Sequence, residues 1–178
     1  ARELQHQLKD SGTKCIIILE NFAHTLEAVI SKTDVQHVVT TGVGDLLSWP
    51  KSTISNFVLR HIKKAIPAFN ISNSTSFNQA LRLGAGKALD EVDIGFADIA
   101  YLQYTGGTTG VSKGAMLSHR NMIYNVQQTI VWQADSYDDI EQVIAVTALP
   151  LYHIFSLQGN CLSVMAQGGK NILITNPR

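Results

Sequence analysis

The chain has 178 residues, 45% of them hydrophobic and 16% charged, with no net charge at pH 7. That composition excludes a disordered segment, and the charge balance leaves no basic footprint for nucleic acid, which is not expected as a partner. The length allows one domain or two small lobes with a core of their own.

In chain order, the polar start ARELQHQLKD has the pattern of a helix and no signal peptide. Lys14 to Leu19 is a β-branched apolar run, expected as a strand buried on both faces. Phe22, Leu26, Ala28, Val29 and Ile30 follow a helical period, and His37–Thr40 reads as the next strand, which makes a β-α-β unit. A helix is predicted over 53–66, stopped by Pro67, followed by a loop over 70–76 and a short helix from Ser76 to Leu83. Further on, 99–104 reads as a strand, 115–117 as a short extended piece, and 119–134 as a helix capped by Ser118. Strands at 143–149 and 171–175 enclose a helix at 155–166. The alternation predicts an α/β fold with largely parallel sheets, divided into a lobe at 1–95 and a second at 96–178. Ala1 starts inside a helical pattern without a cap and Arg178 directly follows a strand, so both ends are read as cuts in a longer chain.

The neutral total hides an asymmetry. Between Leu46 and Leu89 stand Lys51, Arg60, Lys63, Lys64, Arg82 and Lys87, with no carboxylate among them. The helix near 51–66 places Ile54, Phe57, Val58, Leu59, Ile62, Ala65 and Ile66 on one broad arc, with Arg60, Lys63 and Lys64 opposite. Such a helix suits an anionic membrane surface; packing against its own lobe is the alternative. Cys15 and Cys161 have no partner spacing for a metal or redox motif and are expected as buried free thiols in a reducing compartment. The histidines show no i, i+4 pair, so no zinc-helix motif is present.

The stretch YTGGTTGVSKGAMLSH, from Tyr104 to His119, concentrates glycine, threonine and one lysine. It is not a Walker loop, because Ser112 precedes Lys113 and Gly114 follows it. The physics of phosphate binding is still available. Glycines let successive N–H groups converge on one point, the threonine hydroxyls add donors, and Lys113 adds a mobile charge. Two other readings stay open. Gly110-Val111-Ser112-Lys113-Gly114 matches the G-x-S-x-G of a serine hydrolase, with Asp138, Asp139 and His153 downstream; or the segment is a plain glycine turn.

TGGTTGVSKGAML resembles the phosphate-loop signature of the adenylate-forming superfamily, in particular its long-chain fatty-acid–CoA ligases. Ala148-Leu149-Pro150-Leu151-Tyr152-His153-Ile154-Phe155 resembles that family's next motif, and the likeness extends over the whole chain. The resemblance implies a two-step ligase. ATP and a fatty acid give acyl-AMP and pyrophosphate, and the thiol of CoA then displaces AMP. It implies that Thr105, Gly106, Gly107, Thr108, Thr109, Gly110 and Lys113 hold the β- and γ-phosphates. His153 would be the catalytic residue near the carboxylate, and Tyr152 and Phe155 would shape the acyl pocket. Mg²⁺ is implied with ligands outside this chain, and the location is cytoplasmic or peripheral on the inner membrane face. Gly107 stands where many members carry Ser, Ser112 where many carry Pro, and Leu157 where some carry an aromatic gate. The motifs for adenine, ribose and the adenylation lysine are absent. The chain is therefore expected to be part of a large N-terminal domain and inactive alone, the alternative being a non-catalytic nucleotide- or lipid-contacting module.

Overall fold

The computed structural model describes residues 1–105, 111–137 and 140–174. It divides into two compact units. Ala1–Glu91 with Val111 and Ser112 form the first, and Val92–Thr105 with the described residues from Lys113 onward form the second.

In the first unit, α1 (Arg2–Asp10) leads to β1 (Cys15–Leu19), α2 (Glu20–Glu27) and β2 (His37–Thr41). The two strands are parallel, with Ile16 opposite Val38 and Ile18 opposite Thr40. A two-residue strand, β3 (Thr75–Ser76), extends the sheet parallel to β2, inside the stretch expected to be loop. Leu8 of α1, Ala23 and Leu26 of α2, Val38 and Ile71 form the core, with Ile16 and Ile18 packed on it. Period-2 alternation therefore puts Cys15, Ile17 and Leu19 on the opposite face. That face is open: Ile17 is 60% exposed, so β1 is buried on one face and not on both as expected. The same alternation exposes Cys15, while Cys161 is half-buried; both are free, but neither is the buried thiol expected.

The basic helix is α3 (Lys51–Phe57), continued by π-helical turns over Val58–Ile62. It starts earlier and stops earlier than predicted. The stop is Lys64, at φ +49 in the left-handed region, three residues before Pro67. The helix is tied to the end of β2 through side chains. Asp45 Oδ2 accepts from the Gly42 N–H at 2.8 Å, Asn56 Nδ2 donates to Asp45 Oδ1 at 2.8 Å, and the Gly44 N–H donates to Asn56 Oδ1 at 2.8 Å. A Cβ at Gly44 would stand 2.8 Å from both the Ser52 carbonyl oxygen and Asn56 Oδ1, so glycine is needed for this close approach. Arg60 Nη2 donates to both oxygens of Glu20 at 2.7 and 2.6 Å. Ile54, Phe57 and Ile62 remain 57–66% exposed while Val58, Leu59 and Ile66 are half-buried, so the apolar arc is only partly packed against its own unit. Beyond β3, α4 (Phe77–Gly84) begins where the Ser76 side chain accepts from the Gln79 N–H.

The second unit holds β4 (Ile99–Thr105), β5 (Lys113–Ser118), α5 (His119–Tyr137), β6 (Ile144–Thr147), a helix over 154–166 and β7 (Lys170–Leu173). The helix is π-helical over Ser156–Leu162 and ends as α6 (Ser163–Ala166). β6 and β7 pair in parallel across this helix. β4 and β5 are antiparallel, so the short extended piece predicted at 115–117 is a full hairpin strand. Ser118 caps α5 reciprocally. Its Oγ accepts from the Asn121 N–H at 3.3 Å, and Asn121 Oδ1 accepts from the Ser118 N–H at 3.0 Å. Thr175 of the last predicted strand lies outside the described residues.

Leu26 is fully buried at the centre of the first core. Leu26→Ala is expected to lower the stability of the first unit by roughly 2–5 kcal/mol through lost transfer energy and a residual cavity. Urea denaturation followed by fluorescence measures it.

Candidate functional site

Thr105 and Lys113 face each other as the last pair of the β4–β5 hairpin, so the glycine loop leaves and returns at adjacent points. Gly106, Gly107, Thr108, Thr109 and Gly110 lie outside the described residues. Lys113 is exposed at the strand end. One residue on, the Tyr104 ring covers Gly114, where an added Cβ would lie 2.9 Å from Tyr104 Cζ. Only glycine fits beneath that ring.

Ser112 is 7% exposed, and its carbonyl accepts from His6 Nε2 at 2.8 Å. Because a carbonyl only accepts, Nε2 of His6 carries the proton. Strand β5 begins at Lys113, directly after Ser112. A hydrolase nucleophile needs a strand ending at the serine and a helix beginning there, with the hydroxyl at the surface. Ser112 is instead buried and directly precedes a strand, so the hydrolase reading of Ser112 fails. Asp138 and Asp139, its candidate partners, lie outside the described residues.

His153 stands in a turn at the carboxyl ends of the parallel pair β6 and β7. A cleft of about 420 Å³ opens there, lined by Thr147 to Tyr152 together with Leu173 and Ile174. This is where open parallel sheets bind ligands, since the loops leave each strand on that edge. The turn is closed by its own bonds. The His153 N–H donates to Pro150 O at 3.0 Å, and Ser156 Oγ donates to Leu149 O at 3.1 Å. Ser156 is fully buried. His153 also caps the helix that follows. Its carbonyl accepts from the Leu157 N–H at 2.9 Å, and its Nδ1 accepts from the Phe155 N–H at 3.3 Å. An acceptor Nδ1 leaves the proton of the neutral ring on Nε2, so His153 presents an N–H donor beyond the cap. Tyr152 and Phe155, expected to shape an acyl pocket, are 80% and 65% exposed.

The hairpin and the turn are joined by a residue that the motifs did not indicate. Gln103 Nε2 donates to Tyr152 O at 3.0 Å. Gln103 lies two residues before Thr105, on the same face of β4, with Ala115 and Lys113 opposite them. The strand face that ends in Thr105 and Lys113 is therefore the one turned toward the His153 turn. Behind the turn lies a part-buried polar knot. Thr147 Oγ1 donates to Asn171 Oδ1 at 2.6 Å, Asn160 Nδ2 donates to Thr147 Oγ1 at 3.0 Å, and Asn171 Nδ2 donates to Asn160 O. It fixes β6, β7 and the intervening helix to one another. Polar residues inside apolar segments were its sequence signal.

The family model described as AMP-binding enzyme matches residues 1–178. A long-chain-fatty-acid–CoA ligase of Salmonella typhimurium is 51% identical over 177 residues, covering 99% of this chain and 31% of the relative. One of Haemophilus influenzae is 46% identical over 99% of this chain and 32% of the relative. The chain thus spans about a third of the length of these relatives. Among solved structures, apo MatB from Rhodopseudomonas palustris is 25% identical, with a TM-score of 0.62 over 97% of this chain and 28% of that one. The anthranilate CoA ligase AuaEII in complex with anthranoyl-AMP is 19% identical and shares the fold, with a TM-score of 0.71 over 98% of this chain and 28% of its own.

Ser156→Ala leaves the Leu149 carbonyl without its hydroxyl. It is expected to cost about 1–2 kcal/mol and to speed amide exchange across the turn at 150–157. Denaturation and hydrogen-exchange mass spectrometry read the two effects separately.

Proposed function

We infer that this chain, which belongs to the AMP-binding enzyme family, is part of an ATP-dependent ligase that activates a long-chain fatty acid as acyl-AMP and passes the acyl group to CoA. The observation that carries the reading is the Gln103–Tyr152 link, which turns the Thr105–Lys113 strand ends toward the His153 turn. The names of the relatives at 51% and 46% identity supply the substrate class.

In the first step, a carboxylate oxygen attacks the α-phosphorus of ATP and the bond to pyrophosphate breaks. Negative charge builds on the leaving group. Thr105, Gly106, Gly107, Thr108, Thr109, Gly110 and Lys113 are assigned to hold the β- and γ-phosphates, where backbone and hydroxyl donors with one cation offset that charge. His153 is assigned to the reacting carboxylate. A neutral ring with its proton on Nε2 donates to an oxygen without taking up the acid's proton, which suits a carboxylate that must stay ionised to attack. Tyr152 and Phe155 are assigned to the acyl chain; their exposed rings support contact with an apolar ligand. In the second step the thiol of CoA attacks the acyl carbonyl and AMP leaves. Mg²⁺, when bound, would add charge neutralisation. Its ligands are assigned outside this chain. The 178 residues alone are expected not to turn over.

A cytoplasmic enzyme peripheral on the inner membrane face accords with an exposed apolar arc at Ile54, Phe57 and Ile62 beside exposed Lys63 and Lys64. Among the described residues no helix is long and apolar enough to cross a membrane. Arg60 is drawn to Glu20, which leaves Lys63 and Lys64 as the cations for an anionic surface.

Lys113→Ala in the full-length protein is expected to raise the adenylation barrier by about 2–4 kcal/mol. Fatty-acid-dependent ATP–pyrophosphate exchange measures it, and an unchanged kcat/KM removes Lys113 from the site. Lys63→Gln with Lys64→Gln is expected to weaken binding to anionic vesicles at low salt by roughly 30-fold, from about 1 kcal/mol per cation. Wild-type co-sedimentation of that variant would exclude the helix as an anchor.

A further inference from the structure

We propose that Gln103 is a positioning residue for adenylation: its side-chain amide sets the distance between the phosphate-holding hairpin and the His153 turn. This rests on the ligase reading above. The amide Nε2–H donates to the carbonyl oxygen of Tyr152 at 3.0 Å, and that carbonyl belongs to the peptide group leading into His153. At its other end, the Gln103 backbone is fixed in the β4–β5 ladder opposite Ala115, one same-face step before the Thr105–Lys113 pair. The small Ala115 side chain offers no long group to compete for that face. One side chain therefore spans two segments that must present different reactants to each other, the triphosphate and the carboxylate.

The internal bonds of the turn do not do this. Ser156 to Leu149 and His153 to Pro150 fix the shape of the turn, whereas Gln103 fixes its place relative to the strand. In-line attack depends on that placement, because a misplacement of about 1 Å costs on the order of 100-fold in rate. Loss of the amide donor leaves the turn its shape and lets it drift from the hairpin. Binding of ATP, held from the hairpin side, is then preserved, and the rate of carboxylate attack on the α-phosphorus, with release of pyrophosphate, falls.

The test uses the full-length protein that carries this chain, with fatty-acid-dependent ATP–pyrophosphate exchange as the readout. Gln103→Leu, and Gln103→Met, which keeps the side-chain length without a donor, are compared with wild type, each also in a His153→Ala background. The expected result is a fall in kcat of about tenfold with KM for ATP changed less than about twofold. That fall should disappear when His153 is already Ala, since the two residues then act through one geometry. Should the Leu variant not fold, the Met variant carries the same comparison. A wild-type kcat in the folded variants overturns the proposal. So does an equal fall with and without His153, which would mark Gln103 as merely structural. A wild type without exchange activity overturns the ligase reading, and this inference with it.

Discussion

Parallel pairing of strands imposes the constraint from which the rest follows. Two parallel strands cannot be joined by a hairpin, so the chain must return along the sheet before it pairs again. Between β6 and β7 the return leg is the helix over 154–166, and the segment from Ala148 to His153 is left on the carboxyl edge. There its residues from Ala148 to Tyr152 line a cleft. The β4–β5 pair obeys the opposite rule. Antiparallel strands keep the two ends of a loop adjacent, so the glycine loop departs from Thr105 and returns at Lys113 with its ends fixed. One geometry delivers an open turn and the other a pair of adjacent strand ends. Gln103 joins the two.

A turn on an open edge is held less by burial than by polar bonds, and the second unit invests its buried polar groups there. Thr147, Ser156 and Ser163 are each at most 2% exposed, and each donates a hydroxyl to an identified acceptor. Satisfied in this way, such groups are close to neutral for stability while defining a single arrangement. Apolar packing could stabilise the same elements, but it would not fix the distance from Leu149 to Ser156 as sharply. Rigidity at the site thus comes from directional bonds, with Met122, Val126 and Val164 as a modest apolar floor.

What the sequence made legible was local. The apolar run at 15–19, the strand at 37–41, and the capping serines Ser76 and Ser118 are each decided by residues within four positions of one another. The glycine loop and the Leu149–Phe155 turn were legible as text, because their residue types are unusual together. Burial was not legible, since it depends on what packs above a strand. Ile17 and Cys15 have the composition of a core and stand on the uncovered face. The end of the basic helix was misread for a similar reason. Proline is a visible stop, whereas a left-handed Lys64 is an outcome of chain geometry that residue type does not announce. Gln103 could not be found at all from spacing. Its partner is a backbone carbonyl 49 positions away, and carbonyls carry no signature in a sequence.

The role proposed for His153 would let a single residue serve the fold and the chemistry without conflict. Its carbonyl accepts the first regular bond of the helix, and its Nδ1 satisfies one of the N–H groups that every helix leaves unpaired at its start. A serine or asparagine would cap as well, but its remaining donor sits on a shorter side chain and reaches less far beyond the cap. Imidazole is long enough to do both, because its two nitrogens point in different directions. Occupying Nδ1 as an acceptor decides which nitrogen holds the proton, and the ring is fixed before any substrate arrives. The cap is thus the means by which the Nε2–H is aimed. The reach of Gln103 to the preceding carbonyl then determines where that donor stands relative to the strand ends at Thr105 and Lys113.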